Sequence, residues 1–226
     1  MRTQLLVWIC LISFQICAVS SCVVVSGVVG IVAVAAASYT WLYCRCFECC
    51  DDHWLSTNVT QLSLTLRSKV YGQHLVTETV VKQLHGHFRY QPRKALVLSF
   101  HGGHGTGKTY VSKIVAEQLF ALGMQSKYVH FILTTTDLSD GIVSTNKMKL
   151  RERIEQAVRM CPRSLFIIDE IDQMSAVVMD TIKPFLDYHD NVDGVDYRQA
   201  VFIFLSNDAA EEIASKTLEN LQNKKR

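Results

Sequence analysis

The chain has 226 residues, of which 49% are hydrophobic and 19% are charged. This length and composition suit a folded domain with a sizeable core, and they exclude a disulfide-only miniprotein, a disordered chain and a collagen-like chain. The 23 Lys and Arg residues against 21 Asp and Glu leave a net charge of +2. Because that balance is too near neutral for a dedicated nucleic-acid-binding surface, we expect no nucleic-acid partner.

The N-terminal part of the chain carries no charge from Thr3 to Cys44. Residues 1–20 combine a basic start at Arg2, an apolar run and small residues at the end, which is typical of a secretory signal peptide. Residues 21–43 form a second apolar run of about the length that crosses a bilayer, with aromatic residues at its end. We predict a signal peptide over 1–20 and a membrane-associated segment over 21–43, which either spans the membrane or lies in one leaflet.

A cysteine-rich stretch over residues 44–67 follows, which we interpret as a linker. Asn58-Val59-Thr60 within it is a glycosylation sequon, and both features favour the oxidising lumen of the secretory pathway. Lipidated or free thiols on the cytosolic side and a zinc site are the alternatives, although neighbouring cysteines are poorly placed to share one tetrahedral metal. We expect glycosylation of Asn58 and disulfides that involve the clustered cysteines Cys44, Cys46, Cys49 and Cys50.

The remaining residues, 68–226, alternate between helical and extended patterns. Short apolar runs are consistent with buried parallel strands, and segments with apolar residues at helical spacing separate them. This alternation predicts an α/β fold with a parallel sheet flanked by helices. The predicted strands are 95–100, 128–133, 165–168 and 201–205, and the predicted helices include 70–84, 111–123 and 146–161.

A glycine-rich loop follows the first predicted strand and precedes a helix, and it fits the pattern G-x-x-x-x-G-K-[ST]. In such a loop the glycines let backbone N–H groups wrap a pyrophosphate, and the lysine reaches the outer phosphates. The final hydroxyl is a ligand for Mg²⁺. We therefore predict ATP and Mg²⁺ as cofactors and a nucleotide site made of Gly102, Gly103, His104, Gly105, Thr106, Gly107, Lys108 and Thr109.

Polar residues also follow two later predicted strands. Asp169 and Glu170 end the strand 165–168, in the arrangement of a Walker B motif. There the first acid helps to hold Mg²⁺ and the second polarises the water that attacks the γ-phosphorus. Asn207 follows the strand 201–205, where its amide could orient that water, cap the next helix, or do both. We therefore predict catalytic roles for Glu170 and Asn207. We predict that Thr109 and Asp169 bind the metal.

The order of these motifs is that of the AAA+ ATPases, and finer detail resembles the torsins, a secretory-pathway branch related to the Hsp100 unfoldases. The likeness covers about Cys49 to Ile213. It predicts the large subdomain of an AAA+ protein, without the small helical lid that would follow Asn207 in that family. The residues that carry it are the blocks 49–54, 71–75, 98–102, 161–166, 169–174 and 202–207.

The resemblance implies a location in the lumen of the endoplasmic reticulum and nuclear envelope, at the membrane. It also implies oligomers with like subunits, and a membrane-anchored activator protein whose lumenal domain supplies the arginine that torsins lack. Cys161 falls where torsins carry a cysteine, which implies a disulfide between Cys161 and the juxtamembrane cluster. Thr109 departs from the family, which usually has Asn or Ser there, and favours Mg²⁺.

Two functional hypotheses remain open from the sequence. One is a torsin-like ATP hydrolase that remodels proteins or membranes in a chaperone-like way, which Glu170 favours. The other is a catalytically silent ATP-binding subunit that sequesters the activator or full-length partners, which the expected lack of a lid favours. A small-molecule P-loop kinase would need an arginine-rich substrate lid, and the sequence shows none.

Overall fold

The structure is a computed structural model that describes residues 42–138, 143–208 and 210–224. The predicted signal peptide and nearly all of the predicted membrane segment lie outside these residues. Within them, no helix has both the length and the apolar character needed to cross a bilayer. The chain divides into two compact units, Met1–Cys49 and Cys50–Arg226.

The described part of the first unit, residues 42–49, contains a disulfide between Cys44 and Cys49. The rings of Tyr43 and Phe47 stack with their centroids 4.8 Å apart. Cys46 is an exposed free thiol. Three cysteines of the predicted disulfide cluster therefore divide into one bonded pair and one thiol.

The second unit contains a parallel sheet, as the sequence predicts. Its described residues form four strands in the order β1-β4-β3-β2, so the last strand in the chain lies between the first and the third. Parallel strands need crossover connections, and helices supply them here. The strands are β1 Leu96–His101, β2 Val129–Leu133, β3 Leu165–Asp169 and β4 Val201–Ser206.

The helices of the second unit agree with the predicted positions but differ at their ends. The predicted helix over 111–123 ends at Leu119, because Phe120 adopts extended backbone and buries its ring in the core. The helix predicted from Asn146 begins earlier, at Val143. The helices are α1 Val59–Lys69, α2 His74–Arg89, α3 Lys108–Leu119, α4 Thr134–Asp137, α5 Val143–Met160, α6 Ala176–Leu186 and α7 Ala210–Lys224.

The two faces of the sheet carry separate apolar clusters, because successive side chains of a strand point to opposite faces. Leu165 and Ile167 of β3 pack on one face with apolar residues of α1, α2 and α3. Phe166 and Ile168 pack on the other face with residues of α5 and α6. The central strands are therefore covered on both sides, which explains their continuous apolar runs.

Helix α1 corrects the prediction that residues 44–67 form a linker. Leu62 and Leu66 of this helix are fully buried in the first cluster. The side-chain oxygen of Asn58 accepts a hydrogen bond from the Thr60 N–H at 3.0 Å and so caps the helix. The pattern of this segment did not indicate a helix, because four of the eleven residues of α1 are buried and most of the others are polar. The sequon asparagine is exposed at the start of a core helix.

A second disulfide joins Cys50 to Cys161, with the two Cα atoms 5.5 Å apart. This is the bond that the family resemblance implies between Cys161 and the cluster. Next to it, Arg163 donates to the Asp52 carboxylate at 2.6 Å, and the Ser56 N–H donates to the Leu119 carbonyl at 2.7 Å. The segment before α1 is therefore tied both to the end of α3 and to the turn that precedes β3.

Candidate functional site

The candidate site lies at the carboxyl ends of the strands, where open parallel sheets bind their ligands. The glycine-rich loop, residues 102–107, connects β1 to α3. Gly107 caps α3 in the left-handed conformation, with a φ of 94°, which a residue with a side chain rarely adopts. The loop begins beside β4, where the Gly102 N–H donates to the Ser206 carbonyl at 3.3 Å. The first and last strands thus fix the position of the loop.

The ammonium group of Lys108 lies inside this loop. Lys108 Nζ donates to the carbonyl oxygens of Gly102 at 2.7 Å and Gly103 at 2.9 Å. A third hydrogen bond runs to the side-chain oxygen of Asn207, also at 2.9 Å. Three acceptors therefore hold one positive charge beside the backbone N–H groups that begin α3, which is an arrangement suited to an anion.

Thr109 and Asp169 come together from α3 and β3. The Thr109 hydroxyl donates to one carboxylate oxygen of Asp169 at 3.1 Å. The other oxygen of Asp169 accepts from the Glu170 N–H at 2.9 Å. Hydroxyl and carboxylate oxygens are the ligands that Mg²⁺ prefers, so this donor set fits the predicted metal.

Glu170 sits in a strained turn directly after β3. Its φ of 57° and ψ of 44° are left-handed, which is uncommon for a residue with a side chain and frequent at functional sites. The Thr135 hydroxyl donates to a Glu170 carboxylate oxygen at 2.6 Å. The neighbouring Thr134 hydroxyl donates to the Asp169 carbonyl at 2.8 Å. Helix α4 thus holds both the backbone and the acid of this turn.

Asn207 links the loop to the turn after Glu170. Its side-chain oxygen accepts from Lys108, and its backbone N–H donates to Asp172 at 3.0 Å. Burial alone would raise the pKa of Asp172, but hydrogen bonds from Asn207 and Gln173 and the charge of Lys108 lower it overall. The N–H of Ala210, at the start of α7, donates to the Asn207 carbonyl at 3.3 Å, while the side-chain oxygen is bonded to Lys108 in the site.

The structure therefore brings these residues together as two hydrogen-bonded pairs, Lys108 with Asn207 and Thr109 with Asp169. Lys108 and Thr109 are adjacent at the start of α3, and Glu170 follows Asp169 in the chain. His104, at a predicted loop position, is exposed, and Thr106 bonds within the loop to the Gly103 carbonyl at 2.9 Å. Asn58 and the cysteines are not part of this group. The sequence predictions did not include three residues that the structure adds, which are Thr134, Thr135 and Asp172.

One sequence signal could have identified the two threonines. They directly follow the predicted strand that ends at Leu133, and the carboxyl ends of parallel strands meet at one edge of the sheet. Polar residues there are therefore candidates for the same site as Asp169 and Asn207. Asp172 carries no comparable signal, because it lies in a short 3₁₀ turn over Ile171–Gln173 whose path depends on the turn at Glu170.

Comparison with known proteins agrees with this architecture. The chain is 39% identical over 198 residues to a torsin-like protein of Caenorhabditis elegans, with 84% of this chain and 55% of that protein covered. It is 40% identical over 192 residues to a torsin-like protein of Drosophila melanogaster, with 84% and 56% covered. The chain thus spans about half the length of these relatives.

A solved structure with low sequence identity to this chain has the same fold. The chain resembles the Saccharomyces cerevisiae Hsp104–ADP complex with a TM-score of 0.55, at 21% identity, over 72% of this chain and 31% of that one. The fold is therefore that of the AAA+ proteins. The family model named Torsin matches residues 44–168, which is more than half of the chain. The chain belongs to the torsin family of AAA+ proteins.

Proposed function

We propose that this chain binds ATP with Mg²⁺ and hydrolyses it. The observation that carries the proposal is the group in which the Lys108 ammonium, the paired oxygens of Thr109 and Asp169, and the Glu170 carboxylate lie at one edge of the sheet. AAA+ torsins are generally ATPases, and Hsp104, whose fold the chain shares, was solved with ADP. Both facts support nucleotide binding here.

In this proposal each side chain has one task. Lys108 and the loop N–H groups hold the β- and γ-phosphates, and Asn207 keeps the Lys108 ammonium in the loop. Thr109 and Asp169 would hold Mg²⁺, which when bound neutralises charge on the phosphates. Glu170 takes a proton from the attacking water. The water oxygen bonds to the γ-phosphorus as the bond between that phosphorus and the β-phosphate oxygen breaks, which yields ADP and phosphate.

The proposed setting is the lumen of the endoplasmic reticulum and nuclear envelope, where the ATPase would remodel proteins or membranes. Two disulfides support an oxidising compartment, since such bonds rarely persist in the cytosol. The exposed side chain of Asn58 supports access to the glycosylation machinery. Oligomers with like subunits and a membrane-anchored activator with a lumenal domain are the proposed partners, as the family resemblance implies.

Replacing Glu170 with glutamine tests the enzymatic part of the proposal. We expect Glu170→Gln to bind ATP as the parent does but to lose at least about a hundredfold in turnover, because an amide cannot accept the proton. Phosphate release and a calorimetric ATP titration, each with and without a lumenal activator domain, measure the two effects. Turnover by Glu170→Gln at the parent rate would refute the role of Glu170. Binding without turnover by the parent would instead favour the silent ATP-binding subunit.

The lumenal location predicts that Asn58 carries a glycan in cells. Endoglycosidase treatment should increase the electrophoretic mobility of the parent chain, and Asn58→Gln should match the treated parent. Thr60→Ser is the matched control, because it keeps the sequon and should remain glycosylated. Unchanged mobility after treatment, together with digestion of the domain by protease in intact microsomes, would place the domain in the cytosol.

A further inference from the structure

A groove of about 460 Å³ lies between α1 and α2, on residues that take no part in the nucleotide site. Ser63 and Arg67 line it from α1, and Glu78, Lys82 and His85 line it from α2. On each helix the lining residues recur at intervals of about four, so two facing stripes form its walls. The volume falls within the range of sites that hold small molecules.

Among the described residues, the cations of this groove have no ion-pair or hydrogen-bond partner. Within residues 42–138, 143–208 and 210–224, neither Arg67 nor Lys82 forms an ion pair or a hydrogen bond, and His85 makes none either. The Ser63 hydroxyl is likewise without a bond among these residues. Arg and Lys elsewhere in this unit often pair with carboxylates, as Arg163 does with Asp52. Among the described residues the groove thus offers two cations, an imidazole and a hydroxyl without protein acceptors against one acid, Glu78, and this balance points to an anionic ligand.

The segment that contains the end of α1 and all of α2 also carries an excess of positive charge. Residues 67–94 contain six Lys and Arg residues and one acid, which gives +5, whereas the whole chain carries +2. The rest of the chain therefore has a net charge of −3. Arg67 and Lys82 of this segment line the groove, so part of the excess lies where it attracts an anion. The basic residues of this segment are Arg67, Lys69, Lys82, Arg89, Arg93 and Lys94.

We propose that the groove between α1 and α2 is a binding site for a phosphate ester. A guanidinium, an ammonium, an imidazole and a hydroxyl offer donors in several directions, which matches the three or four oxygens of a phosphate better than the two of a carboxylate. Val59 and Val81 supply an apolar surface in the same groove for the organic part of the ester. The phosphate belongs either to a soluble ester or to a lipid headgroup.

The test uses the full chain with Lys108→Ala, so that the phosphate loop does not contribute. One arm titrates glycerol 3-phosphate into the chain in neutral detergent, and the other compares bicelles with and without phosphatidic acid. Hydrogen exchange of peptides within 59–89 reports where binding occurs. We expect protection there in at least one arm, and the arm that shows it identifies the source of the phosphate.

Variants that are expected to change the affinity in opposite directions make the test specific. Lys82→Gln and Arg67→Gln should each weaken binding by about tenfold, since each removes a charge-assisted hydrogen bond. Glu78→Gln should tighten it by about two- to fivefold, because it removes a nearby negative charge. Lys113→Gln, on the exposed side of α3, is the charge-matched control and should change nothing. No protection in either arm, or equal effects of Lys82→Gln and Lys113→Gln, would overturn the proposal, and neither outcome bears on ATP binding.

Discussion

Replacing Lys108 with alanine is expected to abolish ATP binding. Lys108 carries the positive charge that three acceptors hold inside the phosphate loop, from Gly102, Gly103 and Asn207. Its removal leaves the loop with N–H groups alone against the charge of the phosphates. A charge-assisted hydrogen bond contributes about 1.5–3 kcal/mol, and Lys108 would serve two phosphates, so binding should weaken by two or more orders of magnitude.

A calorimetric titration of the parent chain and the Lys108→Ala variant with Mg²⁺ and ATP measures this effect. Lys113→Ala is the matched control, because it removes a lysine from the same helix at an exposed position and should bind ATP as the parent does. Circular dichroism checks that both variants keep the fold. If Lys108→Ala binds ATP as tightly as the parent, the assignment of the phosphate loop is wrong, and the proposed hydrolysis fails with it.

The phosphate loop and the acid pair could be predicted because their signals are local. A glycine pattern with Lys108 after one apolar run, and Asp169 and Glu170 after another, define strand ends without knowledge of the strand order. The four strands could be predicted for a related reason, since residues buried on both faces form continuous apolar runs. The parallel sheet flanked by helices is confirmed by the structure and by the likeness to Hsp104.

The remaining features depend on contacts between distant segments. The strand order places β4 between β1 and β3, and this order puts Asn207 beside Lys108, 99 positions away in the chain. The hydrogen bond of Thr135 to Glu170 likewise depends on the pairing of β2 with β3. Helix α1 was missed because its buried residues are few and its polar faces resemble a linker. Each of these features depends on tertiary packing, which no short sequence pattern predicts.

Loss of the Cys50–Cys161 disulfide is expected to lower the free energy of unfolding by about 4–5 kcal/mol. The bond closes a loop of 111 residues, and constraint of so long a loop in the unfolded chain accounts for an effect of this size. A domain is stable by only about 5–15 kcal/mol, so the double variant Cys50→Ala/Cys161→Ala should approach the limit of folding. Urea unfolding followed by tryptophan fluorescence measures the change, since Trp54 is partly buried against the first apolar cluster.

The second disulfide provides the control for this experiment. Cys44 and Cys49 are separated by only 5 positions, so the same loop relation gives at most about 2 kcal/mol for Cys44→Ala/Cys49→Ala. Reduction of the parent with a dithiol breaks both disulfides, so the parent should lose about the sum of the two effects, whereas reduction of the Cys50→Ala/Cys161→Ala variant should cost only the smaller one. Equal losses from the two double variants would contradict the loop argument. In that case the stability of the segment before α1 would come from its other contacts, such as the ion pair of Arg163 with Asp52, rather than from the covalent bond.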